Sequence, residues 1–366
     1  MNNEITLSKD ILEKIKIIAA KIPRTITIMH VCGTHEYVIA KNSLRELLPS
    51  NIKVISGPGC PVCVCPTSDI DLAIELAKNP KVMLTTFGDM MRVPSSTMSM
   101  YEAKARGMDV RVVYGPHDAV ELAQQNPEKE VVFFAIGFET TAPLIAFEIL
   151  NNPPPNFSVI CAHKVVPPAM ELLLTANDQS ISGFLLPGHV SAIIGVDAYI
   201  PLLEKYKSPM VVGGFEVSDV LISIYYLLRQ ILAKEAKVEN TYTRIVKPEG
   251  NTKAQEYLQN AFEVCDSCWR GIGMIKNGGY RIVSKLIKHD AVQKFGIQIP
   301  PAAEMPKGCS CDQVLLGKKS PQECPLFNKK CTPQNPIGPC MVSHEGSCKI
   351  ARSEEHTSEL QSPNTI

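Results

Sequence analysis

The chain has 366 residues, 37 basic against 37 acidic side chains, and 45% hydrophobic residues. A neutral balance gives no reason to expect nucleic acid or an anionic membrane as partner. The apolar content suits a sizeable core rather than disorder, spread over about two or three domains. No apolar run approaches the roughly 18 residues of a membrane span. Met1-Asn2-Asn3-Glu4 lacks the basic-then-apolar pattern of a signal peptide, so the expected location is the cytoplasm.

Residues 8–22 read as an amphipathic helix, with Ser8 as cap and Ile11, Ile15, Ile18 and Ile22 on one stripe. Strand and helix patterns then alternate. Strands are expected at 25–31, 53–56, 82–86 and 110–114, and helices at 36–48, 69–77, about 100–106 and 117–125. A second series has strands at 131–136, 157–162, 183–186 and 210–212, with helices ending at Leu150, at 168–175 and at 218–236. This order predicts mostly parallel sheet covered on both faces.

The two series share an order of loops. Val31-Cys32-Gly33-Thr34-His35-Glu36 parallels Ile136-Gly137-Phe138-Glu139-Thr140, and Gly57-Pro58-Gly59-Cys60 parallels Leu186-Pro187-Gly188-His189. Phe87-Gly88-Asp89 likewise parallels Gly214-Phe215-Glu216. The expected fold is therefore two similar open α/β domains, 25–128 and 129–237, facing a shared cleft behind an N-terminal helix within 1–24. A C-terminal region, 238–351, holds a last strand candidate at 240–247, a helix at 254–262, and then a loop-rich, Pro- and Cys-rich stretch. Such a stretch buries little apolar surface and needs a metal or other cross-link. Residues 352–366 read like an in-frame translation of a sequencing-library adaptor and are excluded from the fold.

Thirteen cysteines in a chain expected in the cytoplasm point to metal ligation or redox chemistry rather than a disulfide framework. Cys32 stands where a strand hands over to a helix, whose N-terminus favours a thiolate, a soft ligand for Fe(II), Cu(I) or Zn. Cys60-Pro61-Val62-Cys63 is a C-x-x-C in a rigid Gly/Pro loop, read as a redox-active or transiently ligating pair. Half of a zinc site, completed by Cys265 and Cys268, is the competing reading. His35 is a candidate proton handler or ligand beside Cys32. Glu139 and His189, in the matching loops, are candidate acid–base groups across the cleft, with Asp89 and Glu216 weaker. Cys309, Cys324, Cys331 and Cys348 offer four thiolates for an iron–sulfur cluster or structural zinc, and Cys311 and Cys340 leave that choice open. Walker A, dinucleotide-fold and nucleophile-elbow motifs are absent.

Cys32-Gly33-Thr34-His35-Glu36, Gly57-Pro58-Gly59-Cys60-Pro61-Val62-Cys63, Gly137-Phe138-Glu139-Thr140-Thr141, Pro187-Gly188-His189-Val190-Ser191 and Trp269-Arg270-Gly271-Ile272-Gly273 together resemble the HypD family of hydrogenase maturation factors. The resemblance covers about residues 20–350 and includes the late four-cysteine spacing. It implies a scaffold for the Fe(CN)2CO unit of nickel–iron hydrogenases, an accessory protein more than a turnover enzyme. Its implied partners are a small HypC-type chaperone, a HypE-type cyanide donor and, indirectly, the hydrogenase large subunit. By the same resemblance, Cys32 holds the iron, His35 lies in the iron site and Cys60 with Cys63 is the redox pair. Cys309, Cys324, Cys331 and Cys348 hold a 4Fe–4S cluster. An iron–sulfur thiol–disulfide reductase is the alternative, and a zinc-stabilised binding module the third reading.

Overall fold

The computed structural model describes residues 2–176, 181–298 and 305–353. Residues 354–366, most of the excluded tail, lie outside the described residues. The strands are β1 (Ile26–His30), β2 (Ile52–Ser56), β3 (Val82–Thr86), β4 (Val110–Val112), β5 (Glu130–Gly137), β6 (Phe157–His163), β7 (Ile181–Pro187), β8 (Met210–Gly213), β9 (Val238–Asn240), β10 (Phe262–Trp269) and β11 (Gly273–Ile282). They form a five-stranded sheet of order β2-β1-β7-β8-β9, a four-stranded sheet of order β4-β3-β5-β6, and a β10-β11 hairpin. Every pairing in the two larger sheets is parallel.

Alternation along each strand sorts side chains between two faces. Val132, Phe134 and Ile136 of β5 face a central core shared with Phe184, Leu186, Met210 and Val212 of the other sheet. Val131, Phe133 and Ala135 point the other way, onto helices carrying Ala119, Val120, Ala142 and Ile145. The outer face of the five-stranded sheet is covered by Ile11 and Ile15 of the N-terminal helix and by Leu221, Ile224 and Leu228 of the helix Val217–Ala233. Both faces of each sheet are thus buried, which explains the near-continuous apolar runs.

The expected architecture of two parallel α/β sheets with a loop-rich, cysteine-bearing C-terminal region is what the chain adopts. The split at residue 128 is not how the sheets divide. β1 and β2 pair with β7–β9, whereas β3 and β4 pair with β5 and β6. Hydrophobic period identifies a buried strand but not its neighbour, and β1 takes β7 as its second partner through a ladder from Thr27–Ile181 to His30–Leu185. The last sheet strand is β9, earlier than the expected 240–247. The β10–β11 hairpin replaces an expected loop, and its β10 pairing shifts register between Cys265 and Ser267, which blurs the alternation a sequence reading depends on.

Residues 305–353 run across the carboxyl ends of both sheets. Gly317 packs on Met29 and Ile55, and Ser56 meets Ser347 at 2.9 Å. On the other sheet's side, Arg92 donates to the Pro333 carbonyl. Among the described residues no helix is long and apolar enough to cross a membrane.

Candidate functional site

The carboxyl ends of β1, β2, β7 and β8 carry the loops of Cys32, Cys60, His189 and Phe215, and those of β3, β5 and β6 carry Asp89, Glu139 and Lys164. In open parallel sheets this edge is where ligands bind.

Cys32 caps the helix Gly33–Lys41 from an extended backbone. Gly33 N–H donates to the Gly59 carbonyl at 3.1 Å, so the iron-site candidate and the dithiol loop touch through their backbones. A Cβ on Gly59 would stand 2.3 Å from the Cys32 nitrogen, which only glycine avoids. From above, Thr34 donates to Glu345 at 3.0 Å. Burial pushes the Cys32 thiol up to about 11, the Glu345 carboxylate adds to this, and amide donors from His35 and Thr34 oppose it. The helix N-terminus therefore does not make a resting thiolate, contrary to the expectation from sequence. Desolvation outweighs the helix end.

Cys60 and Cys63 form a disulfide with Cα atoms 5.2 Å apart, and both are buried. Cys60 caps the helix Pro61–Val64 and accepts from Cys63 N–H at 3.2 Å. That helix packs against the turn Pro339–Met341, which holds Cys340. Cys265 and Cys268 lie on β10, and among the described residues no group of three His, Cys, Asp or Glu side chains brings them to this pair as metal ligands.

His35 is fully buried. Its Nε2–H donates to the Gly214 carbonyl at 3.0 Å, leaving the Nδ1 lone pair without a partner. Burial and the neighbouring His30 pull it down to about 3, so it is a neutral imidazole with an open acceptor. Phe215 contacts two rings, His35 at 4.8 Å and His189 at 3.9 Å. His189 is exposed, His35 is not. Asp89 is half-buried and faces Glu345, whereas Glu216 is exposed and caps a helix.

Glu139 is buried on the opposing sheet. Its Oε1 accepts from Val166 N–H at 2.9 Å and its Oε2 has no partner. Burial raises it to about 7, only partly offset by amide donors. Tyr199, whose hydroxyl sits 3.1 Å from Ser191, is electrostatically coupled to both Glu139 and Cys32, so the two sheets' site residues approach one another there.

Sequence reasoning missed the frame behind Cys32. His30 Nδ1 donates to the Cys32 carbonyl at 3.1 Å and Nε2 pairs with Glu36 at 2.7 Å. Arg45 closes the group onto Glu36 at 2.5 Å and donates to the Val54 carbonyl at 3.0 Å. Burial works against the Glu36 carboxylate, but Arg45 and His30 more than offset it, taking it down to about 2. A histidine in the apolar run Ile26-Thr27-Ile28-Met29-His30 was the available signal.

In the C-terminal region the Cys309 and Cys311 sulfurs lie 2.7 and 2.6 Å from the point a Gly338 Cβ would occupy. The free thiols of Cys311, Cys340 and Cys348 are within hydrogen-bonding reach of one another, and Cys331 feels the charges of Cys309 and Cys311. Cys324 faces the Gly308 carbonyl at 4.0 Å. Cys348 is drawn downward because the Cys311 and Cys340 thiols donate to its sulfur. Among the described residues, no three His, Cys, Asp or Glu side chains converge as ligands of a single metal ion. A donor set made only of thiols, with one member favoured as thiolate, fits an iron–sulfur group chemically.

Fold and site together define an α/β protein whose two parallel sheets bring a lone thiol, a disulfide and a sulfur-rich C-terminal region to one edge. The family model HypD, described as the hydrogenase formation hypA family, matches residues 6–354. A hydrogenase expression/formation protein of Methanocaldococcus jannaschii is 48% identical over 352 residues, covering 95% of this chain and 97% of that protein. The hydrogenase maturation factors HypD of Azotobacter vinelandii and Escherichia coli are each 44% identical, covering 89% of this chain and 88% of their own lengths. The chain belongs to the HypD family, with a role in hydrogenase maturation.

Proposed function

We propose that this protein is the cytoplasmic scaffold on which the Fe(CN)2CO unit of nickel–iron hydrogenases is assembled. Cys32 holds the iron cargo together with a cysteine of a small HypC-type chaperone. A HypE-type protein supplies cyanide, and the finished unit passes onward to the hydrogenase large subunit. The carrying observation is the direct backbone contact between the Cys32 turn and the Cys60–Cys63 loop, under the Glu345 roof.

The chemistry follows from the residues. A buried thiol held up at about 11 is protonated at neutral pH, so iron binding must displace a proton. Glu139, with Oε2 unpartnered and its carboxyl raised to about 7, is suited to take a proton, while His35, held neutral, offers Nδ1 as an acceptor that can steady a polar ligand of the iron. Exposed His189, stacked on Phe215, is a titratable group at the solvent side of this edge. The Cys60–Cys63 pair can exist as dithiol or disulfide and so store two electrons beside the cargo. A 4Fe–4S cluster on the C-terminal thiols, expected at Cys309, Cys324, Cys331 and Cys348, would supply one-electron chemistry when bound.

Infrared spectroscopy of the anaerobically purified complex with the small chaperone tests the reading. Cyanide and CO stretching bands are expected in the parent protein and lost in Cys32→Ala, while iron and acid-labile sulfide of the C-terminal region persist. A parent complex without such bands sinks the scaffold reading. Alanine substitution at each of the six late cysteines, scored by iron and sulfide content, identifies the cluster ligands. The alternative, an iron–sulfur thiol–disulfide reductase, draws on the packing of the dithiol helix against the Cys340 turn. Reductant-dependent turnover of a disulfide substrate, surviving in Cys32→Ala, would favour it.

A further inference from the structure

The Trp269-Arg270-Gly271-Ile272-Gly273 turn has no role in the account above, yet it joins three parts of the site. The Trp269 indole N–H donates to the Gly278 carbonyl at 2.8 Å, and its ring stacks on Phe138, next to Glu139, at 5.8 Å. Arg270 N–H donates to the Val64 carbonyl at 2.8 Å, at the end of the dithiol helix. Gly271, at φ +74°, lies against Asp312, where a Cβ would stand 2.9 Å from the Asp312 Cα, one residue from Cys311.

The Arg270 side chain is 5% exposed. Both terminal nitrogens donate to a single acceptor, the Pro94 carbonyl, at 3.2 Å, and Nε–H has no partner. It makes no ion pair among the described residues. The ionisable groups that act on it most strongly after burial are the thiols of Cys65, Cys311, Cys340 and Cys309. A guanidinium does not give up its proton in a protein, and an unpaired buried cation is strongly disfavoured. A neutral carbonyl supplies no countercharge, whereas the thiols whose charge acts on Arg270 can supply it once ionised.

We propose that Arg270 is the counter-cation of a thiolate-bound iron–sulfur cluster in the C-terminal region, holding the cluster against loss and raising its reduction potential. The inference rests on the cluster reading under Proposed function. With four cysteinate ligands, a 4Fe–4S cluster is net negative in both common oxidation states, more so when reduced. A fixed positive charge close to it therefore favours the reduced form. The same residue grips the dithiol helix by its backbone, so cluster and Cys60–Cys63 loop are bound to one rigid corner. Arg270 acts through the cluster and is a positioning residue.

The test uses the full chain, anaerobically loaded with iron and sulfide, as parent, Arg270→Lys and Arg270→Met. Midpoint potential is followed by paramagnetic resonance, cluster loss to a chelator by absorbance, and metal-free stability by thermal unfolding. In Arg270→Met the potential is expected to move negative and cluster loss to accelerate about 10- to 100-fold. Arg270→Lys keeps the charge but loses the fork onto Pro94, and should stay near the parent potential. The metal-free Met variant should be no less stable than the metal-free parent, because an uncompensated charge has been removed. A loaded Met variant with parental potential and chelation rate overturns the proposal while leaving the cluster reading intact. So does a Lys variant whose potential falls as far as that of Met, since a bracing role would depend on the fork and not on the charge. If the Met variant does not fold, Arg270→Gln, neutral but still able to donate to Pro94, takes its place in each comparison. A parent chain that takes up no acid-labile sulfide instead ends the cluster reading and this inference with it.

Discussion

Glu139 is the residue whose environment makes the sharpest demand. It is buried, one of its oxygens is unpartnered, and its pKa rises from 4.5 to about 7. The folded state thus binds its proton more tightly than the unfolded state does. That stability is fully present below pH 4.5 and is lost as pH rises through about 7. Glu139→Gln keeps the shape and removes the ionisation. Urea unfolding should therefore show the parent losing about 3 kcal/mol relative to Glu139→Gln between pH 4.5 and pH 8. Parallel pH profiles for the two would show that Glu139 titrates normally. Cys32, Cys60, Cys63 and His35 were legible in the sequence because each sits in a short motif with its own Gly or Pro punctuation. His30, Tyr199 and Arg270 were not, because their partners come from distant segments, and a side chain's chemistry is set by what the fold brings against it. The late cysteines were legible as a group but not individually, since Cys311 and Cys340 lie among the expected ligands.

At the scale of elements, the strand-to-helix turn at Cys32 is held by the His30–Glu36–Arg45 group. His30 belongs to β1, Glu36 to the helix Gly33–Lys41, and Arg45 reaches β2 through the Val54 carbonyl. One carboxylate therefore ties three elements behind the iron-site candidate. Removing it leaves a buried histidine and a half-buried arginine facing each other, and Glu36→Ala should cost about 3–5 kcal/mol at pH 7. Glu36 is depressed from 4.5 to about 2, so its contribution is present above pH 4.5 and fades as pH falls toward 2. The gap between parent and variant in urea midpoint should accordingly narrow from pH 7 to pH 3. An equal gap at both pH values would mean that packing, not the ionised carboxylate, is what the alanine removes.

For the molecule as a whole, buried apolar runs announced the strands, and β3 was located to the residue. Pairing was hidden, because any buried parallel strand offers the same ladder to any other. The consequence of the observed pairing is physical. Residues 25–128 contain β1–β2 from one sheet and β3–β4 from the other, and residues 129–237 contain β5–β6 and β7–β8. Each half therefore holds two-stranded pieces of both sheets, and neither holds a complete one. Two strands alone are marginal in water, and each piece would expose its half of the central core. Expressed separately, both halves should lack a cooperative thermal transition by circular dichroism. In the intact chain, amide protection of β1 and β5 should be lost together, because β1 is flanked by β2 and β7, β5 by β3 and β6, and the sheets share one core. A half-chain that melts cooperatively would show that the sheets re-pair within each segment, and the crossed topology would then not be what stabilises the fold.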